Sequence, residues 1–128
     1  MATATFKGCM SPEITYINKM PSGSQLQLDT KFSYNVKYSK ELTCQGEMTV
    51  TVNAKNDPEN FAIKVRMIGA FTYKEGADKD LLHVETFQTL FPFVRALVST
   101  ITTNAGIPPI ILPNVNMEGQ SIYRIGSN

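Results

Sequence analysis

The feature that most constrains this chain is a long alternation of apolar and polar residues in its first third. The apolar members share one parity and are Leu26, Leu28, Phe32, Tyr34, Val36 and Tyr38. A period of two residues places alternate side chains on opposite faces of a β-strand. The alternation therefore predicts a strand over about residues 25–38 with one face buried and the other face polar.

Three further segments carry the same signal. Residues 43–55 and 60–74 alternate clearly, whereas residues 3–18 alternate weakly and contain Pro12, which is tolerated on an edge strand but not in a central one. Short turn-forming segments separate the last three strands, and parallel neighbours would need crossovers of a dozen residues or more. We therefore expect a four-stranded antiparallel meander. The glycine at position 69 suggests a bulge or a close backbone approach in the last strand.

The second half of the chain changes to helical spacing. Residues 78–88 predict a short helix or an ordered loop, and residues 90–104 predict a long helix. Thr89 can cap the long helix, Pro92 falls in its first turn, and Gly106 ends it. The predicted class is α+β, with one long helix packed on the sheet of a single domain spanning residues 1–128.

The long helix presents two stripes with different side chains. One is apolar, is expected to pack on the sheet, and consists of Leu90, Phe93, Val94, Leu97 and Ile101. The other contains only small residues: Ala96, Ser99, Thr100 and Thr103. Small side chains let a second helix approach closely, so we expect both sides of this helix to be covered.

A proline-rich apolar loop over residues 107–117 follows the helix, and a short tail covers residues 118–128. Three prolines prevent a regular helix or a central strand there, yet most of the intervening residues are apolar. Such a loop either packs against the core or remains available for a partner.

Composition excludes several classes of protein. The chain is 42% hydrophobic and 18% charged, which excludes a disordered tail and a membrane-embedded protein. Twelve basic and 11 acidic residues give a formal net charge of +1, which argues against nucleic-acid binding. The longest apolar stretch, Leu90–Val98, contains Pro92 and Arg95 and is too short for membrane insertion. With two cysteines and no signal peptide pattern, we expect a cytoplasmic protein.

The residues that could carry chemistry form no recognisable constellation. His83 has no Cys or His at ligand spacing, and the carboxylates of Asp78, Asp80 and Glu85 are interspersed with lysines. No glycine-rich phosphate loop is present. We therefore expect neither an enzyme nor a cofactor or metal site, although a polar cluster around His83 would support an enzyme or a small-molecule binder.

Two motifs in the last third carry a family resemblance. Leu90-Phe91-Pro92-Phe93-Val94-Arg95 precedes Ala105-Gly106-Ile107-Pro108-Pro109-Ile110-Ile111-Leu112, and Val115-Asn116 follows. This arrangement resembles the SecB family of protein-export chaperones, which begins its long helix with a similar L-F-P motif and follows it with a glycine- and proline-containing apolar loop.

The resemblance implies a homodimer or homotetramer with the long helices between two sheets, and a groove that holds unfolded polypeptide or a specific client. It assigns the small stripe Ala96, Ser99, Thr100 and Thr103 to helix contacts between protomers. The groove candidates that it implies are Phe87, Ile107, Ile110, Ile111, Leu112, Val115 and Met117.

This sequence departs from the family pattern in two respects. Residues 118–128 are too short and too rich in glycine to form the family's C-terminal helix. The family docks the translocase ATPase SecA through carboxylates on its outward sheet face, whereas this chain places Lys64 and Arg66 there, which argues against SecA docking. The leading hypothesis is a SecB-like holdase. The alternative is an assembly protein that uses the same fold to oligomerise without binding clients.

Overall fold

A computed structural model describes residues 3–113 and 122–124 of the chain. The elements are β1 (Ala4–Asn18), β2 (Gln25–Tyr38), β3 (Thr43–Ala54), β4 (Phe61–Tyr73), α1 (Lys79–Asn104) and β5 (Ile122–Arg124). The α+β prediction is confirmed, because an antiparallel sheet of four long strands is packed against one helix. The predicted tail contains the short strand β5, which pairs with the start of β2.

The strand order differs from the predicted meander. The order in the sheet is β1-β4-β3-β2-β5, so β2, β3 and β4 form a meander while β1 pairs with β4 at the far edge. This is a Greek-key arrangement. The connection between β1 and β2 has six residues, 19–24, which reach about 20 Å when extended. In this order β1 and β2 are three strand spacings apart, which is about 14 Å. The connection is therefore long enough to cross the end of the sheet from β1 to β2.

The core lies between the sheet and α1. Inward positions of β3 and β4 are almost fully buried, as at Val52, Phe61 and Val65, each with a relative exposure of 0%. Outward positions of the same strands are partly exposed and mostly polar. The strict alternation that predicted these strands therefore corresponds to one covered face and one uncovered face.

Helix α1 is a single element, so the predicted break before residue 90 is wrong. Its N-cap is Asp78, whose carboxylate accepts a hydrogen bond from the Asp80 backbone N–H at 3.0 Å. Pro92 lies inside the helix rather than in its first turn. A proline removes one backbone hydrogen bond and usually kinks or breaks a helix. Pro92 is exposed, so water can satisfy the carbonyl that this proline leaves without a donor.

The buried stripe of α1 also differs from the predicted one. Leu90 and Val94 are buried as expected, but Phe93 is 45% exposed. Apart from Phe91, the buried positions recur at every fourth residue: Leu82, Thr86, Leu90, Val94, Val98 and Thr102. A row of every fourth residue winds slowly around a helix, which suits packing along a twisted sheet. Hydroxyls of the two threonines donate to carbonyls one turn earlier, at 2.8 Å for Thr86 and 3.0 Å for Thr102.

Gly69 marks a close approach of the helix to the sheet. A Cβ atom at this position would lie 2.8 Å from Cδ1 of Leu90, so the absence of a side chain lets Leu90 settle onto β4. The sequence suggested either a bulge or a close approach at this glycine, and the close approach is correct. The bulges fall in β1, between Phe6 and Gly8 and between Met10 and Glu13.

Glu85 on α1 forms hydrogen bonds with the beginning of β1. Its carboxylate accepts hydrogen bonds from Thr3 Oγ1 at 2.6 Å, Thr3 N at 3.0 Å and Ala4 N at 3.2 Å. The hydrogen bond from the Thr3 hydroxyl is the main cause that lowers the pKa of Glu85, and the backbone donors add to it. This contact therefore stabilises the folded state more when the carboxyl group is ionised than when it is protonated.

We expect Glu85→Ala to lower the urea midpoint at pH 7 by a small, measurable amount. A carboxyl pKa that is lowered on folding contributes stability above its unfolded value of about 4.3, and the contribution is lost as the pH falls through the folded value. The difference from the parent protein should therefore shrink below about pH 4. Glu75→Ala, in an exposed turn, is the control and should show no such trend. A difference that does not depend on pH would contradict this role for Glu85.

Candidate functional site

An aromatic cluster joins β2 to the middle of α1. The Phe87 ring stacks on Phe91 with centroids 5.5 Å apart and meets Tyr34 edge-on at 5.4 Å. The Phe32 ring packs beside the Phe91 ring, with their centroids 5.7 Å apart. Alternate residues of β2 point toward the helix, and residues four apart on α1 share a face, so both elements direct their rings to the same place.

An open groove of about 350 Å³, which we call the aromatic groove, runs along this cluster. The helix covers the centre of the sheet more fully than its β2 side, so Phe32 and Tyr34 are only half-buried. Side chains from both elements line the groove: Phe32, Tyr34, His83, Val84, Phe87 and Gln88. Because most of this surface is apolar and reachable from solvent, the groove suits apolar or aromatic side chains of another polypeptide.

One pair of hydroxyl groups fixes the position of Tyr34 in the lining of the groove. Tyr34 Oη donates to Thr86 Oγ1 at 2.6 Å, and the Thr86 hydroxyl bonds onward to the carbonyl of Leu82. Burial raises the pKa of the Tyr34 phenol, so the phenol is neutral at physiological pH. This hydrogen bond holds the Tyr34 ring in place beside Phe87.

The described surroundings of His83 do not form a polar cluster. Its ring meets Tyr34 edge-on at 5.1 Å, and its backbone carbonyl accepts a hydrogen bond from Thr86. Burial raises the thiol pKa of both Cys9 and Cys44, which favours the unreactive thiol form. Within residues 3–113 and 122–124, no group of three or more His, Cys, Asp or Glu side chains could hold a metal ion.

The predicted groove residues after the helix divide into three groups. Ile107, Ile110 and Leu112 are at most 9% exposed and belong to the core, whereas Ile111 is 63% exposed and points outward. Val115 and Met117 lie outside the described residues. Phe87 is the predicted candidate that lines the aromatic groove.

The loop is held against α1 by polar contacts. The Ile110 backbone N–H donates to Thr102 Oγ1 at 3.0 Å, and Arg95 Nε donates to the Leu112 carbonyl at 3.3 Å. The Arg95 guanidinium also lies over the Phe91 ring, 5.2 Å from its centroid. Because Phe91 stacks on Phe87, a continuous series of contacts connects the loop to the aromatic groove.

The residues of the predicted helix contact lie on the outer side of α1. Ala96, Thr100 and Thr103 are exposed and Ser99 is half-buried. The same helix exposes three large apolar side chains, Leu81 (46%), Val84 (49%) and Phe93 (45%). From Thr86 to Asn104 the helix contains one charged residue, Arg95, whose contacts are described above. The outer side of a helix that faces water normally carries charged residues, so this surface is typical of one that packs against another protein surface.

The sequence interpretation missed most of the groove lining. The alternation in β2 predicts that Phe32 and Tyr34 point toward the core. No motif in the sequence indicates that the helix leaves the β2 side of the sheet partly uncovered. Val84 and Gln88 lie in the segment 78–88, for which the sequence pattern predicts a short helix or an ordered loop. Knowledge that α1 begins at Lys79 would have placed both residues beside Phe87, one turn away or less.

Comparisons with known proteins agree on one family. The family model for preprotein translocase subunit SecB matches residues 4–125. A protein-export protein SecB of Hydrogenovibrio crunogenus is 32% identical over 119 residues, which cover 90% of this chain and 76% of that protein. An uncharacterized protein of Methanocaldococcus jannaschii is 31% identical over 112 residues, which cover 80% of this chain and 72% of that protein.

A solved structure has the same fold. It is the Mycobacterium tuberculosis SecB-like chaperone in complex with a peptide from the HigA1 antitoxin. The TM-score is 0.70 at 15% sequence identity, and the match covers 88% of this chain and 91% of that chain. Within the described residues, no helix is long and apolar enough to cross a membrane.

Proposed function

This chain belongs to the SecB family, and we propose that it is a chaperone that holds unfolded polypeptides against its aromatic groove. The observation that carries the proposal is the open apolar groove between β2 and α1, which Phe87 and Tyr34 line together with the exposed Val84. Ile111 is a second exposed apolar side chain, on the loop that Arg95 connects to the groove. The SecB family is not an enzyme family, and this mode of action requires no reactive group.

The physical basis of such binding is burial of apolar area. The gain is about 25 cal/mol for each Å² removed from water, and it does not depend on direction. A groove lined by aromatic and aliphatic side chains can therefore accept many different apolar segments. Aromatic rings also pack edge-on or offset against aromatic residues of a client, which adds about 0.5–1.5 kcal/mol for each pair.

We further propose that protomers assemble into dimers or tetramers through the outer side of α1. Ala96, Ser99, Thr100 and Thr103 would let a second helix approach closely, and the low charge of this side supports that arrangement. Assembly would bring several grooves together on one particle. A client that engages two grooves gains effective concentration without any new contact.

The proposed setting is the cytoplasm, where a holdase meets newly made chains. The matched family model is described as a preprotein translocase subunit, which supports a role in protein export. The outward face of the sheet carries Lys64 and Arg66, so the acidic docking mode expected for SecA is not supported here.

Suppression of aggregation tests the proposed function. A denatured, reduced client is diluted into buffer with increasing amounts of the protein, and light scattering is followed. We expect the protein to suppress scattering at micromolar concentration. Val84→Asn combined with Ile111→Asn should raise the concentration for half suppression about tenfold, since each change removes partly exposed apolar area that a client would bury.

The matched control removes equally exposed apolar side chains elsewhere. Met10 is 61% exposed on β1, and Leu42 is 40% exposed in the turn after β2. Met10→Asn combined with Leu42→Asn should leave suppression within about twofold of the parent protein. A holdase that loses as much activity in this control would not bind clients through the groove. A chain that oligomerises but shows no suppression would favour the alternative of an assembly protein without clients.

A further inference from the structure

The outward face of the sheet carries a cationic cluster at its centre. Strand pairing places Lys31 opposite Thr51 and Thr51 opposite Lys64, so the two lysines lie in one cross-strand row on either side of β3. Arg66 follows Lys64 on the same face of β4 and is opposite Thr49. Adjacent strands are about 4.8 Å apart, so the backbones that carry Lys31 and Lys64 are about 10 Å apart.

The carboxylates on this face neutralise the cluster only in part. Glu13 on β1 is shared between Lys64 at 3.5 Å and Arg66 at 3.9 Å, so one carboxylate faces two cations. Glu47 pairs with Lys37 at 3.0 Å and also interacts electrostatically with Arg66, which contributes to the lowered pKa of Glu47. Asp29 lies two residues before Lys31, and no ion pair joins these two residues in the described part of the chain. The cluster thus keeps an excess of positive charge although the whole chain is nearly neutral.

The shape of the cluster is that of a shallow trough. The floor consists of Thr49 and Thr51 on β3, whose short side chains and hydroxyls leave room for a chain above them. Longer cationic side chains flank the floor on both sides, with 44% exposure for Lys64 and 37% for Arg66. A width of about 10 Å fits one extended polypeptide, and its side chains point alternately to the two sides.

We propose that this trough docks an acidic, extended segment of a partner protein. Carboxylates on one side of the segment recur every two residues, about 6.6–6.8 Å apart. Lys64 and Arg66 are two residues apart on one strand and therefore have the same spacing. Carboxylates on the other side reach Lys31. This surface lies on the opposite side of the sheet from the aromatic groove, so docking and client binding are independent of each other.

A labelled acidic peptide tests the proposal directly. The probe is a fluorescein-labelled peptide of alternating Glu and Ser, about 12 residues long, titrated with the full chain at low ionic strength and followed by fluorescence anisotropy. Binding should weaken at least about tenfold between low salt and physiological salt, because exposed charges are screened over about 8–10 Å. A peptide with Lys in place of Glu should not bind.

Substitutions locate the binding surface and keep the test independent of folding. The combination of Lys31→Gln, Lys64→Gln and Arg66→Gln should weaken binding at least about tenfold. The charge-matched combination of Lys19→Gln, Lys40→Gln and Lys74→Gln, all exposed and outside the strands, should stay within about twofold. Glu13→Gln removes the competing carboxylate and should strengthen binding about two- to fivefold.

Three outcomes would overturn the proposal. They are no binding of the acidic peptide, equal weakening by the two triple combinations, and tighter binding of a single-stranded oligonucleotide of equal charge with the same dependence on the cluster. The combination Val84→Asn and Ile111→Asn separates this proposal from the holdase function. It should leave binding of the acidic peptide unchanged while it impairs suppression of aggregation.

Discussion

Replacement of Ala96 by Glu is expected to weaken self-association at least about a hundredfold. Ala96 is exposed in the protomer and lies on the small, uncharged side of α1 that we propose as the contact between protomers. A carboxylate buried in that contact without a partner costs several kcal/mol, and symmetry places it there twice. At low micromolar concentration, sedimentation velocity should therefore show protomers in place of the oligomer.

The position of Ala96 makes this prediction specific. Because its side chain contacts solvent in the protomer, the substitution should leave the circular dichroism spectrum unchanged. Asn56→Glu, which introduces the same charge in the exposed turn after β3, is the control and should not change the mass in solution. An unchanged oligomer in the Ala96→Glu variant would mean that protomers associate through a different surface.

Replacement of Leu90 by Ala should lower the free energy of unfolding by about 2–5 kcal/mol. Leu90 is fully buried in the stripe that packs on the sheet, and its Cδ1 atom fills the space above Gly69. Truncation there loses the transfer free energy of the removed carbons and leaves a cavity that the rigid sheet cannot close. Domains of this size have a total stability of about 5–15 kcal/mol, so the loss is a large fraction of it.

The same substitution elsewhere on the helix provides the control. Leu81 is 46% exposed, and Leu81→Ala should change the free energy of unfolding by no more than about 0.5 kcal/mol. Urea unfolding is best measured in the Ala96→Glu background, where association between protomers does not add to the stability. Equal effects at Leu81 and Leu90 would contradict the described packing of α1 on β4.

Local patterns in the sequence were sufficient for most of the fold. The period of two residues located the strands because one face of β3 and β4 is fully covered by the helix and the other is not. Strand order could not be predicted, since the alternation in β1 contains no information about which edge it pairs with. The six-residue connection after β1 is compatible with pairing to β2 as well as with a crossing to β4.

The helix shows where a local rule was misleading. The usual place of proline in a helix is the first turn, so local rules predict that Pro92 lies at the start of α1. The structure has it in the middle of α1, on the exposed side, where tertiary packing of the stripe from Leu82 to Thr102 keeps the helix continuous. Thr86 and Thr102 also interrupt the apolar pattern of this stripe, because threonine is not expected in a buried row. Both can be buried because their hydroxyls donate hydrogen bonds to carbonyls of the preceding turn.

The candidate site was harder to predict than the fold. Phe87 was identified through the family resemblance, whereas its partners on β2, Phe32 and Tyr34, were assigned to a covered face. The apolar loop gave no signal that separates Ile111, which points outward, from Ile110, which packs inward. Orientation in an irregular segment depends on specific contacts, here the bond from the Ile110 N–H to Thr102, and no periodicity reports it.

Site-specific photocrosslinking tests the central claim of client binding at the groove most directly. A benzophenone amino acid is placed at Val84, at Ile111, or at the exposed control position Lys55, and each protein is mixed with a denatured, labelled client before illumination. We predict strong crosslinks to the client from positions 84 and 111 and little from position 55. Equal crosslinking at all three positions, or none at position 84, would contradict the proposal that the groove between β2 and α1 holds unfolded polypeptide.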